Sequence, residues 1–98
     1  MMELQVETLD GRHALNTLFT HRVAVKGHER QKDFVQLREW CWEMFGPGVE
    51  RTLVWHARED DKTLRYRWCW HIDPANESNL YLYFREETAS AFFIRWCN

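Results

Sequence analysis

His56, Cys69 and His71 are the side chains whose types could do chemistry together. Two imidazoles and a thiol make a zinc donor set, and a thiol beside an imidazole makes a nucleophile with its base. The spacing argues against both uses. If 51–57 and 64–72 run as paired strands, His56 sits beside Arg65, four residues along the strand from Cys69. At about 3.3 Å per residue that is roughly 13 Å, whereas zinc ligands lie about 2.0–2.3 Å from the ion. Arg65 and Arg67 would also repel a cation there. Neither Cys41 nor Cys69 has a base indicated beside it, and Glu59-Asp60-Asp61 falls in a turn where solvated charge needs no further role. Gly46-Pro47-Gly48 follows a helix instead of opening one, so it is no phosphate cradle. His13, His21 and His28 carry no assignment beyond surface or local hydrogen bonding. The expectation is a non-enzymatic protein with no catalytic residues, no metal and no cofactor.

Recognition chemistry is what remains, and it depends on which faces the elements present. "LRYRWCWHI" (64–72) alternates Leu64, Tyr66, Trp68, Trp70 and Ile72 against Arg65, Arg67, Cys69 and His71. "NLYLYFR" (79–85) sets Leu80, Leu82 and Phe84 opposite Tyr81 and Tyr83. Both are strand patterns, because successive side chains on a strand point to opposite faces. Pairing Ala57 with Leu64 puts Trp55 beside Tyr66 and Leu53 beside Trp68. Pairing Trp70 with Leu80, Trp68 with Leu82 and Tyr66 with Phe84 keeps apolar beside apolar, whereas a one-residue slip would not. The sheet then has an apolar face for helices and an open face bearing Thr52, Val54, His56, Arg65, Arg67, Cys69, His71, Tyr81, Tyr83 and Arg85. Tyr and Arg on an open face suit a protein partner, or single-stranded nucleic acid through stacking and phosphate contacts. They also suit plain solvated cross-strand neighbours. The arrangement is superficially similar to RNA-recognition-motif domains, but their Gly-aromatic signature is absent and the helix–strand order differs.

The helix that must cover the apolar face is read from Glu29 to Phe45, where Phe34, Leu37, Cys41, Met44 and Phe45 recur at three- and four-residue spacing. Gly46-Pro47-Gly48 stops it. At about 100° per residue, Cys41 points inward while Trp40 and Trp42 fall on opposite flanks. The second Trp-Cys-Trp, at 68–70, does the reverse on a strand: both indoles share a face and Cys69 points away. The flank carrying Val35 and Trp42 either covers a sheet edge or the N-terminal segment, or stands exposed for a partner or a homodimer. Upstream, "MELQVETL" and "HRVAVKG" alternate like strands around an Asp10-Gly11 turn, and "RHALNTLFT" is ambiguous. The tail "EETASAFFIRWCN" reads as a helix stacking Ala89, Phe92, Phe93 and Trp96, with Glu86 and Glu87 at its positive end.

Ninety-eight residues make a single domain (1–98), and six Trp with six Phe supply the large side chains a small core needs. A net charge of −2 argues against a dedicated nucleic-acid binder, and no apolar run is long enough for a membrane span. The acidic start lacks a signal peptide's basic and apolar regions. Three cysteines without CxxC spacing point to reduced thiols and a cytoplasmic setting.

"DFVQLREWCWEMFGPG" and "LYLYFREETASAFFIRW" together resemble a tryptophan-rich helix ending in Phe-Gly, followed by a terminal strand and an acidic-Ala-Phe-Trp helix. That pairing is similar to small, mostly uncharacterised proteins of tailed bacteriophages, through Trp40, Phe45, Gly46, Phe84, Glu86, Glu87, Ala89, Phe93 and Trp96. The resemblance covers about a third of the chain and implies an accessory protein acting in the host cytoplasm. The fold expectation is an α+β two-layer sandwich: about four antiparallel strands, the 29–45 helix and a C-terminal helix on one face. The functional expectation is a binding protein, with modulation of a host protein or defence system as its role. Its expected partner-binding residues are Val35, Trp42, Arg65, Arg67, His71, Tyr81, Tyr83 and Arg85. Single-stranded nucleic-acid binding and self-association are the alternatives.

Overall fold

The computed structural model describes residues 2–10, 19–51, 66–76 and 79–97. Among these the chain forms an α+β fold of five strands and two helices, in the order β1 (Glu3–Thr8), β2 (His21–Lys26), α1 (Arg30–Phe45), β3 (Val49–Glu50), β4 (Trp68–Ile72), β5 (Leu80–Phe84) and α2 (Glu86–Trp96). The sheet order is β1-β2-β5-β4-β3. The N-terminal segment therefore joins the sheet, and β2, from well upstream in the sequence, lies against β5. The sheet is mixed: β3 runs parallel to β4, pairing Val49 with Cys69 and Glu50 with Trp70. The hairpin expected from Leu53, Trp55 and Ala57 against 64–68 lies outside the described residues.

Strand alternation decides which side chains meet the helices. Val23, Val25, Leu80, Leu82, Phe84 and Trp68 project to one face and pack with Phe34, Leu37, Cys41 and Phe45 of α1 and with Ala89 and Phe92 of α2. The buried α1 residues fall at spacings of three, four and four, one stripe of the helix. Trp40 ties the helices together, with its ring edge-on to Phe92 at 6.0 Å and to Trp96 at 5.9 Å. The tail is the expected helix. Its first turn is fixed by Thr88, whose buried hydroxyl lies 3.0 Å from both the Arg67 and the Arg85 carbonyl oxygens.

The β4–β5 register corrects the expectation by two residues. Trp68 pairs with Phe84, Trp70 with Leu82 and Ile72 with Leu80. A two-residue shift preserves every facing, so apolar matching alone cannot detect it. The turn decides it. Asp73 N–H donates to the Asn79 carbonyl at 3.1 Å, and the Asp73 carboxylate accepts from the Ala75 N–H at 2.9 Å and the Asn79 amide at 3.3 Å. This pins Ile72 opposite Leu80. The helix stop contributes too: the buried Trp68 indole donates from Nε1 to the Gly46 carbonyl at 2.9 Å. Gly46 has φ +86°, a conformation that favours glycine, and its N–H bonds the Trp42 carbonyl at 3.0 Å.

Candidate functional site

The second sheet face is not open, which corrects a central expectation. Cys69 and Tyr83 are fully enclosed with Phe19, and Leu9, Val49 and Tyr81 pack around them. Phe19 comes from the stretch whose role the sequence left ambiguous. Tyr83 accepts a hydrogen bond on its hydroxyl from Arg51 Nη1 at 3.2 Å. His71 is also buried: its Nδ1 lies 2.6 Å from a Glu50 carboxylate oxygen, and its ring stacks on Tyr81 at 6.5 Å. A carboxylate only accepts, so Nδ1 carries the proton in that bond. Arg22, paired with Glu7 across β1–β2, lies over the Tyr81 ring at 4.6 Å. Amphipathic Tyr and His can read as surface residues and still be buried once each polar tip has a partner, as these tips do.

Arg67 remains exposed, with its guanidinium 5.7 Å from the Phe45 ring centre, and Arg85 is half-buried ahead of α2. Arg65 lies outside the described residues. The eight expected site residues therefore do not form one surface: Tyr83 and His71 are interior, Tyr81 is half-covered, and Arg67 and Arg85 sit at the α2 end of the sheet.

The same buried cluster brings Cys69, His71 and Glu50 near one another, a triplet that could suggest an activated thiol. The environment opposes it. Burial pushes the Cys69 thiol well above its ordinary range, and the Glu50 charge pushes it the same way, against a smaller opposite pull from Arg51. A thiol held protonated is a poor nucleophile. Cys41, buried under α1, is likewise pushed up by burial. Among the described residues no three His, Cys, Asp or Glu side chains could hold a metal ion, and no helix is long and apolar enough to cross a membrane.

The structure does bring Val35 and Trp42 together. They lie seven residues apart, two helical turns and roughly 10.5 Å along α1. Both are exposed, Val35 by 51% and Trp42 by 54%. Between helix and sheet runs a trough of about 250 Å³ lined by Val35, Arg38, Glu39, Trp42 and Trp68. It adjoins a second hollow of about 330 Å³ that shares Val35 and Arg38 and reaches Ile72 and Leu80. Arg38, common to both, is a residue that sequence reasoning missed. Its guanidinium lies 3.8 Å from the Trp70 ring centre and 5.6 Å from that of Phe34. Its Nε is shut off from solvent and has no hydrogen-bond partner among the described residues. Burial of the cation lowers the Arg38 pKa from its ordinary value. The position was legible as a cation three residues after Val35 and four before Trp42, but its lodging on Trp70 is a tertiary fact.

Comparison with protein-family models, with curated proteins and with solved structures finds no match for this chain.

Proposed function

We propose that this chain is a non-enzymatic binding protein whose partner-docking surface is the α1 flank of Val35, Arg38 and Trp42, and that it acts on a protein partner. The observation that supports this reading is a half-exposed Trp42 beside a half-exposed Val35, above a trough floored by the buried Trp68 ring. An indole standing in water at the lip of a preformed apolar hollow has the anatomy of an interface anchor. Arg38, its guanidinium 3.8 Å from the Trp70 ring centre, adds a cation to the lining of the same trough. The bacteriophage resemblance makes a host protein the fitting class of partner, with the chain as its modulator in the host cytoplasm. Base stacking has less to rest on, because Tyr83 is enclosed and Tyr81 lies under Arg22.

The test is capture from host lysate, with and without nuclease treatment, using the tagged full chain and its Trp42→Ala variant. Specific protein recovery that disappears with Trp42→Ala, while that variant melts with the wild type, supports the reading. Equal recovery by Trp42→Ala, or recovery that vanishes on nuclease treatment, refutes it.

A further inference from the structure

Resting on that docking surface, we propose that its occupant in the free protein is a second copy of the chain, bound flank to flank with the two α1 helices antiparallel. The midpoint between Val35 and Trp42 is also the midpoint between Arg38 and Glu39. A twofold axis through that point therefore sets Val35 against the partner's Trp42 and Arg38 against the partner's Glu39, and repeats both contacts by symmetry. Self-complementarity of this kind is what an isologous interface requires. The helix advance of about 100° per residue keeps all four positions on one flank, with Arg38 and Glu39 on either side of the Val35–Trp42 line.

The charges select this occupant over others. A uniformly acidic helix would satisfy Arg38 and be repelled by Glu39, and a uniformly basic one would do the reverse. A copy of α1 presents Glu39 to Arg38 and Arg38 to Glu39. Arg38 lines the trough between α1 and the sheet. Glu39 lines the same trough. The axis falls within one residue of the centre of Arg30–Phe45, so the two helices overlap along almost their whole length with opposed dipoles. A single helix pair buries less than the roughly 1,200 Å² of a standard interface, so the dimer belongs to the weak, transient class.

Sedimentation of the full chain from low micromolar to near-millimolar concentration tests this. The expected result is a rise from 12.0 kDa toward twice that mass. Glu39→Arg and Arg38→Glu should each stay monomeric at concentrations at least ten times the wild-type midpoint, because each places like charges across the axis. Mixed one to one they should associate again, each supplying the sign the other lacks. Circular dichroism checks that each variant is folded; should Arg38→Glu lose its fold, Glu39→Arg decides alone. A wild type monomeric throughout the range, or a Glu39→Arg that dimerises undiminished, overturns the proposal. Should the chain be monomeric and still capture a host protein in a Trp42-dependent way, this inference fails while the proposed function stands. Charge-dependent dimerisation without capture upholds this inference and removes the host-protein reading.

Discussion

Gly48→Ala should be among the most damaging single-methyl additions to this chain, although nothing in the local sequence marks Gly48 as more than part of a helix stop. A β-carbon at Gly48 would lie 2.4 Å from Trp68 Cε2, 2.5 Å from Cζ2 and 2.8 Å from Cδ2. Carbon atoms in contact sit about 3.5–4.0 Å apart, so the indole would have to retreat by about 1 Å. Trp68 is 1% exposed and sits in the core with Phe45 and Phe84, so any retreat breaks packing already made. Overpacking of this kind costs about 1–3 kcal/mol. Retreat also stretches the 2.9 Å bond from Trp68 Nε1 to the Gly46 carbonyl. A buried donor left unsatisfied adds about 1–3 kcal/mol. The combined loss, about 2–6 kcal/mol, is a large part of the roughly 5–15 kcal/mol that keeps a domain folded. Thermal melts followed by circular dichroism should show a midpoint lower by about 10 °C or more. The mechanism has its own signature, because the penalty should shrink in a Trp68→Leu background, where the ring is gone. Gly46→Ala should also destabilise, by about 1–3 kcal/mol, but through its backbone conformation, and so independently of the side chain at position 68. A Gly48→Ala protein that melts within a degree or two of the wild type would refute the packing of Trp68 against the helix stop.

The two indoles of the first Trp-Cys-Trp should separate cleanly: Trp40→Ala empties the contact with Phe92 and Trp96 and should cost about 3–5 kcal/mol, while Trp42→Ala, on the exposed flank, should stay within about 0.5 kcal/mol of the wild type in urea titrations. Thiol titration of the native protein should give one accessible group, Cys97, with Cys41 and Cys69 reacting only on unfolding, since both are buried and held protonated; three fast thiols would contradict the core described above. Asp73 is held below its ordinary value, first by the Ala75 N–H and then by the Asn79 amide. A carboxylate depressed in the folded state contributes stability above its unfolded pKa and loses it as pH falls through the folded one. The gap in melting temperature between wild type and Asp73→Asn should therefore be full at neutral pH and close below about pH 4, and a gap that persists unchanged into stronger acid would contradict the turn geometry.

Elements with a strong local period were legible in the sequence. The stripe of Phe34, Leu37, Cys41 and Phe45 marks α1 to within a residue, because three- and four-residue spacing leaves a helix as the arrangement that buries all four, whereas Met44, read into the same stripe, is exposed. Alternation marks β4 and β5 and identifies Leu80, Leu82, Phe84 and Trp68 as core. The strand partners were less legible. The apolar pattern is the same after a shift of two residues, so the β4–β5 register waits on the hydrogen bonds around Asp73. The position of β3 beside β4 is a long-range pairing of two residues, too short to carry a period of its own.

Which residues share a face is written in the chain itself, since that follows from the geometry of a helix or a strand one element at a time. Whether a face meets water is set by the assembled fold. Tyr83 and His71 alternate as surface residues would, yet Phe19 arrives from a distant stretch to help enclose Tyr83, while Arg51 and Glu50 engage the polar tips. Val35 and Trp42 read more readily as covering a sheet edge or the N-terminal segment than as bare, and they are bare because the buried stripe of α1 turns away from them. Burial depends on what lies across the gap, and no local period encodes the other side of the gap.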